Sequence, residues 1–181
     1  MGLLVDPPFA LGQTLGVSST DDGKGWVGAV KEFTDVTPST GVIRSNRRKV
    51  CVAVRNTSGA ALLPKNLVTF DTSTAGPTSC GAVDAKNAVT GNEFVGVVDE
   101  HLPAAGVAAN DVFWVTIEGP TEVIADAAVS VGNAVAADTA ATAGAATAGR
   151  VIATTANAIG RAVSAAAAAG DAILAVVKTK A

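Results

Sequence analysis

The strongest constraint on this 181-residue chain is a turn pattern that occurs four times. Two alanines, a short spacer and a Gly, Asn or Asp turn lead into apolar residues. The pattern reads AALLPKNLVTF from Ala60, AAGVAANDVFWV from Ala104, AAVSVGNAVAA from Ala127 and AAAAAGDAILAV from Ala165. A wider correspondence underlies it. Asn66, Asp71 and Thr72 match Asn133, Asp138 and Thr139 at a constant shift of 67, and Gly96 and Asp111 match Gly160 and Asp171 at shifts of 64 and 60. Residues 60–119 and 127–179 therefore read as two copies of one unit, the second shorter by a few loop residues.

Each copy reads as β structure. Residues 49–55 (KVCVAVR) alternate, with Val50, Val52 and Val54 on one face. Strands follow at 67–70, 94–98 and 112–117, the last stopped by Gly119-Pro120. Their counterparts are 150–153, 159–163 and 172–177. Strands at this spacing, separated by Gly/Asn/Asp turns, predict a mainly β fold of small antiparallel barrel or sandwich units. A helix over 156–169 is the competing reading, since alanine favours helix. Gly160, Val163 and the missing charged face oppose it. At most a helical turn is expected at 165–169, leading to Gly170-Asp171.

Around these copies the chain divides into three parts. Residues 1–40, rich in Gly, Pro, Ser and Thr, read as an extended arm. Residues 41–124 form the first β unit, and residues 125–181, with 24 alanines in 57 positions, form a second unit packed on it. Charged residues are 16% of the chain, below the usual quarter, while 37 alanines and 26 valines argue against disorder. No window approaches the ~20 unbroken apolar residues of a membrane helix. The N-terminus lacks the basic region of a secretory signal, so cytoplasmic synthesis is expected. Net charge is -3, which disfavours direct nucleic-acid binding. The charge is uneven, +2 over 1–92 and -5 over 93–181. Arg44, Arg47, Arg48, Lys49 and Arg55 cluster, either as a docking face or as a solvated basic loop.

Signals for chemistry are weak. His101, the sole histidine, lies in VVDEHLP beside Asp99 and Glu100 and reads as a surface-loop residue rather than a base or metal ligand. Glu118 and Glu122 straddle Gly119-Pro120, as in an exposed turn. Cys51 and Cys80 fit no metal spacing; they could pair if adjacent strands bring them together, but they read first as reduced, partly buried small hydrophobes. Trp114 reads as core or interface. Trp26, among glycines, could anchor in a partner's groove or pack back on its own domain. No enzyme activity, cofactor or metal is expected.

The repeated turns, the phrase NEFVGVVDEHLPAAGVAANDVFWV and the ending AIGRAVSAAAAAGDAILAVVK resemble the capsid decoration, or cement, proteins of tailed bacteriophages, of the small β-tulip or β-barrel head-stabilising type. The resemblance covers about 60–179. It implies no catalysis. It implies a virion protein on the capsid exterior, often a homotrimer, that clamps neighbouring major capsid proteins. It also implies an N-terminal arm lying along the shell, a role that suits Leu3, Leu4, Phe9, Leu11 and Leu15, with Trp26, Arg44, Arg47 and Arg48 as further contact candidates. The alternative is another virion surface component, such as a fibre base, tail part or adhesive module.

Overall fold

A computed structural model describes residues 9–16, 26–70, 81–84, 95–138 and 149–179. These residues form ten strands and, among the described residues, no helix. The strands are β1 (Val30–Val36), β2 (Ile43–Asn56), β3 (Leu67–Phe70), β4 (Gly81–Asp84), β5 (Val95–Val98), β6 (Val112–Ile124), β7 (Ala134–Ala137), β8 (Val151–Ala153), β9 (Gly160–Ala162) and β10 (Ala172–Lys178). The fold is thus mainly β, and 165–169 holds a bridge and bends instead of a helical turn. Ala166 pairs with Val129 there, so tertiary pairing overrides alanine's helix preference.

The pairings close two rings. The first runs β2-β4-β3-β5-β6 and returns to β2. The second runs β6-β10-β9-β7-β8 and closes through a bridge between Ala125, just past β6, and Val151. Closure leaves neither ring an open edge. The long strand β6 belongs to both: its first half pairs β2 and β5, its second half β10.

The duplication is visible pair by pair. Leu67↔Val97 recurs as Ala134↔Arg161, and Val98↔Val115 recurs as Ala162↔Ala175. The parallel pair Asn56↔Ala82 recurs as Ala125↔Val151, a shift of 69 at both positions (56 to 125, 82 to 151). The Leu62–Val107 bridge recurs as Val129–Ala166. Turn geometry repeats as well: Lys65 and Gly132 share positive φ, as do Asn110 and Gly170. The second half of β6 therefore plays the part of β2 in the second ring, and the repeat begins earlier than the turn pattern alone suggested.

Gly119-Pro120 does not end the strand as its sequence implies. It lies inside β6, where the ladder changes partner from β2 to β10. Gly119 has φ of +109°, and a Cβ there would stand 2.3 Å from the Arg48 carbonyl oxygen. Only glycine permits this bend and close crossing.

Alternation along the strands fills the rings. Val52, Val54, Leu62, Val68, Val98, Phe113 and Val115 pack together in the first. Val123, Val129, Val135, Ala162, Ile173 and Ala175 occupy the matching interior of the second. Side chains shrink at equivalent positions: Phe113 to Ile173, Leu62 to Val129, Val115 to Ala175. Part of the alanine excess is thus a smaller core in an unchanged frame. Leu67 and Val97, on the outside of the first ring, are fully buried and join the second ring's cluster. Residues 30–36, read from sequence as arm, are a strand on the edge of β2.

Candidate functional site

The N-terminal segment covers the outer face of the first ring. β6 is apolar on both faces here: Phe113 and Val115 point into the ring, while Val112 and Trp114 point out. The outward face needs a cover, and Phe9 supplies it. Phe9 is 3% exposed and stacks on Trp114 with ring centroids 4.6 Å apart, while Phe33 meets Trp114 edge-on at 5.3 Å. The Trp114 indole N–H donates to the Phe9 carbonyl at 3.2 Å. Leu11 and Leu15 pack against the same cluster, and Leu15 bridges to Val112 through two backbone hydrogen bonds of 2.9 and 3.3 Å. Phe9, Leu11 and Leu15 are thus spent on the chain's own domain rather than free on an arm. Leu3 and Leu4 lie outside the described residues. Trp26 is half-buried at a turn that leads into β1, its carbonyl accepting the Ala29 N–H.

Four of the five residues in the basic cluster of the sequence separate into three environments. Arg44 and Lys49 turn inward to a buried carboxylate, Glu100. Lys49, fully buried, forms an ion pair with Glu100. Arg44 donates to Glu100 from both terminal nitrogens at 2.9 and 3.2 Å, and to Asp35 at 2.6 Å. Ser45 donates to the other Asp35 oxygen at 2.7 Å. The Glu122 backbone N–H donates to Glu100 at 2.9 Å, and the Glu122 carboxylate links Lys65 at 2.7 Å and Arg44 at 3.5 Å. One network so joins β1, β2, the β3 approach, the loop after β5 and the shared strand β6. Burial opposes the charge of Glu100, but Lys49 and the Arg44 hydrogen bonds hold its carboxyl below the usual range. Burial likewise opposes Arg44, yet its bonds to Asp35 and Glu100 raise its affinity for the proton. Arg44, expected on a partner-facing surface, is instead an internal cross-link. Glu122, expected in an exposed turn, belongs to the same network.

Arg48 has a second fate. It stays on the surface, pairing with Glu32 at 2.9 Å and approaching Glu118 at 3.9 Å. With Arg48 and Glu32 62% and 58% exposed, the pair contributes little to stability.

Arg47 has a third. The β1–β2 register jumps from Thr34↔Arg48 to Asp35↔Ser45, leaving Asn46 and Arg47 in a bulge. Bulges re-aim side chains, and this one places Arg47 on a surface groove of about 530 Å³. Arg161 from β9 and Lys178 from the end of β10 line the same groove, over a floor that includes Ile159, Val163 and Val176. Arg161 is oriented by donating to the Gly132 carbonyl at 2.9 Å. The sequence clustering of basic residues did not mark this site, because its cations come from positions 47, 161 and 178.

His101 is not the surface-loop residue expected. Its side chain is 13% exposed, with Gly12 packed over it, and its buried Nε2 has no hydrogen-bond partner and stands 3.9 Å from Glu100. Burial lowers its pKa, favouring the neutral imidazole. The neighbouring Asp99 accepts the Gly12 N–H at 2.6 Å and the His101 N–H at 3.0 Å, while burial raises its pKa. Cys51 is a free, buried thiol pushed up to about 12 by desolvation, which makes it unreactive; Cys80 lies outside the described residues. Among the described residues, no cluster of His, Cys, Asp and Glu could hold a metal ion.

No protein-family model matches the chain, and no curated protein matches it. Among solved structures, the chain is similar to the N base of the head fibre gp8.5 of bacteriophage phi29, at a TM-score of 0.45 and 15% identity, over 72% of this chain and 98% of that one.

Proposed function

We propose that this chain is a structural protein of a phage virion. In this reading it docks as a homotrimer on the outer surface of the icosahedral capsid and stabilises the shell by clamping neighbouring major capsid proteins. The observation that carries the reading is mechanical. Two filled barrels share one strand, β6, and the Lys49–Arg44–Glu100–Glu122 network braces the joint. Such a body transmits load between its contact faces without bending at a linker. The sequence resemblance to capsid decoration proteins supports the same role. The test mixes the purified protein with expanded capsids that lack it and measures co-sedimentation and copy number. Saturable binding at a stoichiometry near that of the major capsid protein is expected. Absence of binding to expanded capsids would overturn the proposal.

A further inference from the structure

We infer that the groove between β2, β9 and β10 docks an acidic, aliphatic segment of a partner protein. Three separate elements deliver Arg47, Arg161 and Lys178 to one opening whose floor is aliphatic. Among the described residues, neither Arg47 nor Lys178 pairs with a carboxylate. Glu118, cross-strand from Lys178, approaches Arg48 instead. The groove thus offers uncompensated positive charge around an apolar surface, which complements carboxylates flanking a Val, Ile or Leu side chain.

The repeat strengthens this. In the first barrel the equivalent outer face carries Leu67 and Val97, and the second barrel buries both. In the second barrel their places are taken by Ala134 and Arg161, and the place of Glu118 by Lys178. The same backbone surface serves once as an internal joint and once as an open, basic one. Nucleic acid suits the groove less well: no aromatic side chain lines it to stack a base, and the chain's net charge is -3.

The test uses the full chain and a fluorescein-labelled heptapeptide, Gly-Asp-Val-Glu-Val-Asp-Gly, followed by anisotropy. Saturable binding that weakens with added salt is expected. R47A and R161A should each weaken it about two- to fivefold, the range of one exposed ion pair. The R161E/K178E double variant should weaken it more than tenfold, and E32Q, which alters an exposed carboxylate outside the groove, should leave it unchanged. The three groove cations are exposed, so circular dichroism should show each variant folded. Failure of the peptide to bind, equal binding by R161E/K178E, or tighter binding of a labelled oligothymidine would each overturn the inference. This outcome is separate from capsid binding: a chain that takes the peptide but ignores capsids refutes only the proposed function.

Discussion

Replacing Glu100 by Gln tests whether the buried ion network holds the two barrels and the β1–β2 hairpin together. The Glu100 carboxylate serves Lys49, two Arg44 nitrogens and the Glu122 backbone N–H. All four are donors. A glutamine keeps the shape but exchanges one acceptor oxygen for a donating NH₂ group, so at least one existing donor then faces another. It also removes the charge opposite Lys49, whose side chain is fully buried. Removing one partner of a buried ion pair costs about 3–5 kcal/mol, because a cation remains without compensation. That is a third or more of the stability of many domains, about 5–15 kcal/mol. It corresponds to a fall in Tm of about 10 °C for a chain of this size. Urea unfolding followed by tryptophan fluorescence measures it, since Trp114 moves from a fully buried site to water. In the K49M/E100Q double variant the stranded charge is gone. Stability should return to within about 2 kcal/mol of the parent, because the deficit belongs to the orphaned cation. A loss below about 1 kcal/mol in E100Q, or a further loss on adding K49M, would refute this account.

Four other outcomes follow from the same geometry. F9A should lose about 3–5 kcal/mol and red-shift Trp114 emission, since it uncovers the outer face of β6; unchanged emission would mean the stacking is not maintained in solution. G119A should lose at least about 2 kcal/mol by urea titration, because φ of +109° and the Arg48 carbonyl both exclude a Cβ. T121V should gain about 1 kcal/mol by the same titration: the Thr121 hydroxyl is buried without a partner, and the matching residue in the first barrel is Val52. Stability should fall as pH drops through about 6.5, the ordinary histidine value. Burial lowers the folded-state pKa of His101, so the unfolded chain binds the proton more readily in that window. H101Q should flatten this slope, although Glu100, lowered as well, keeps a further acid loss below about pH 4.3, and Asp99, raised by burial, contributes in the opposite sense.

The sequence carried the frame well and the joints poorly. The strands at 67–70, 151–153, 160–162 and 172–178 were legible because each follows a turn with Lys65, Gly149, Asn157 or Gly170 at positive φ. The copy relation was legible for the same reason, since these turns tolerate few substitutes. The extension of β6 past Gly119-Pro120 was not, because those residues usually stop a strand and only the change of partner explains them here. The cover at Phe9 had a faint signal: VFWVTI is apolar on both faces, more than one barrel interior can absorb. The fate of the basic cluster had none. Arg44 finds Asp35 nine residues away and Glu100 fifty-six away, and no local pattern encodes such pairings.

The differences between the two copies sort by where they point. Inside the rings, exchanges such as Phe113 to Ile173 and Val115 to Ala175 change volume and leave the pairing register intact. The glycines that let neighbouring strands close up, Gly96 and Gly160, stay the same: a Cβ would meet Val115 at 2.1 Å in one ring and the Val176 carbonyl at 2.4 Å in the other. The glycine makes room for a core side chain in the first ring and for the neighbouring strand's backbone in the second. Outside the rings the exchanges change size and, at Val97 to Arg161, charge as well. Leu67 and Val97 seal one barrel onto the next, whereas Ala134 and Arg161 stand where a further barrel would have to be sealed. Burying Arg161 there without a carboxylate would leave an uncompensated charge. This outer face of the second barrel therefore cannot form the same hydrophobic joint that seals the first barrel onto it, and its charge is left basic beside the apolar residues of the groove.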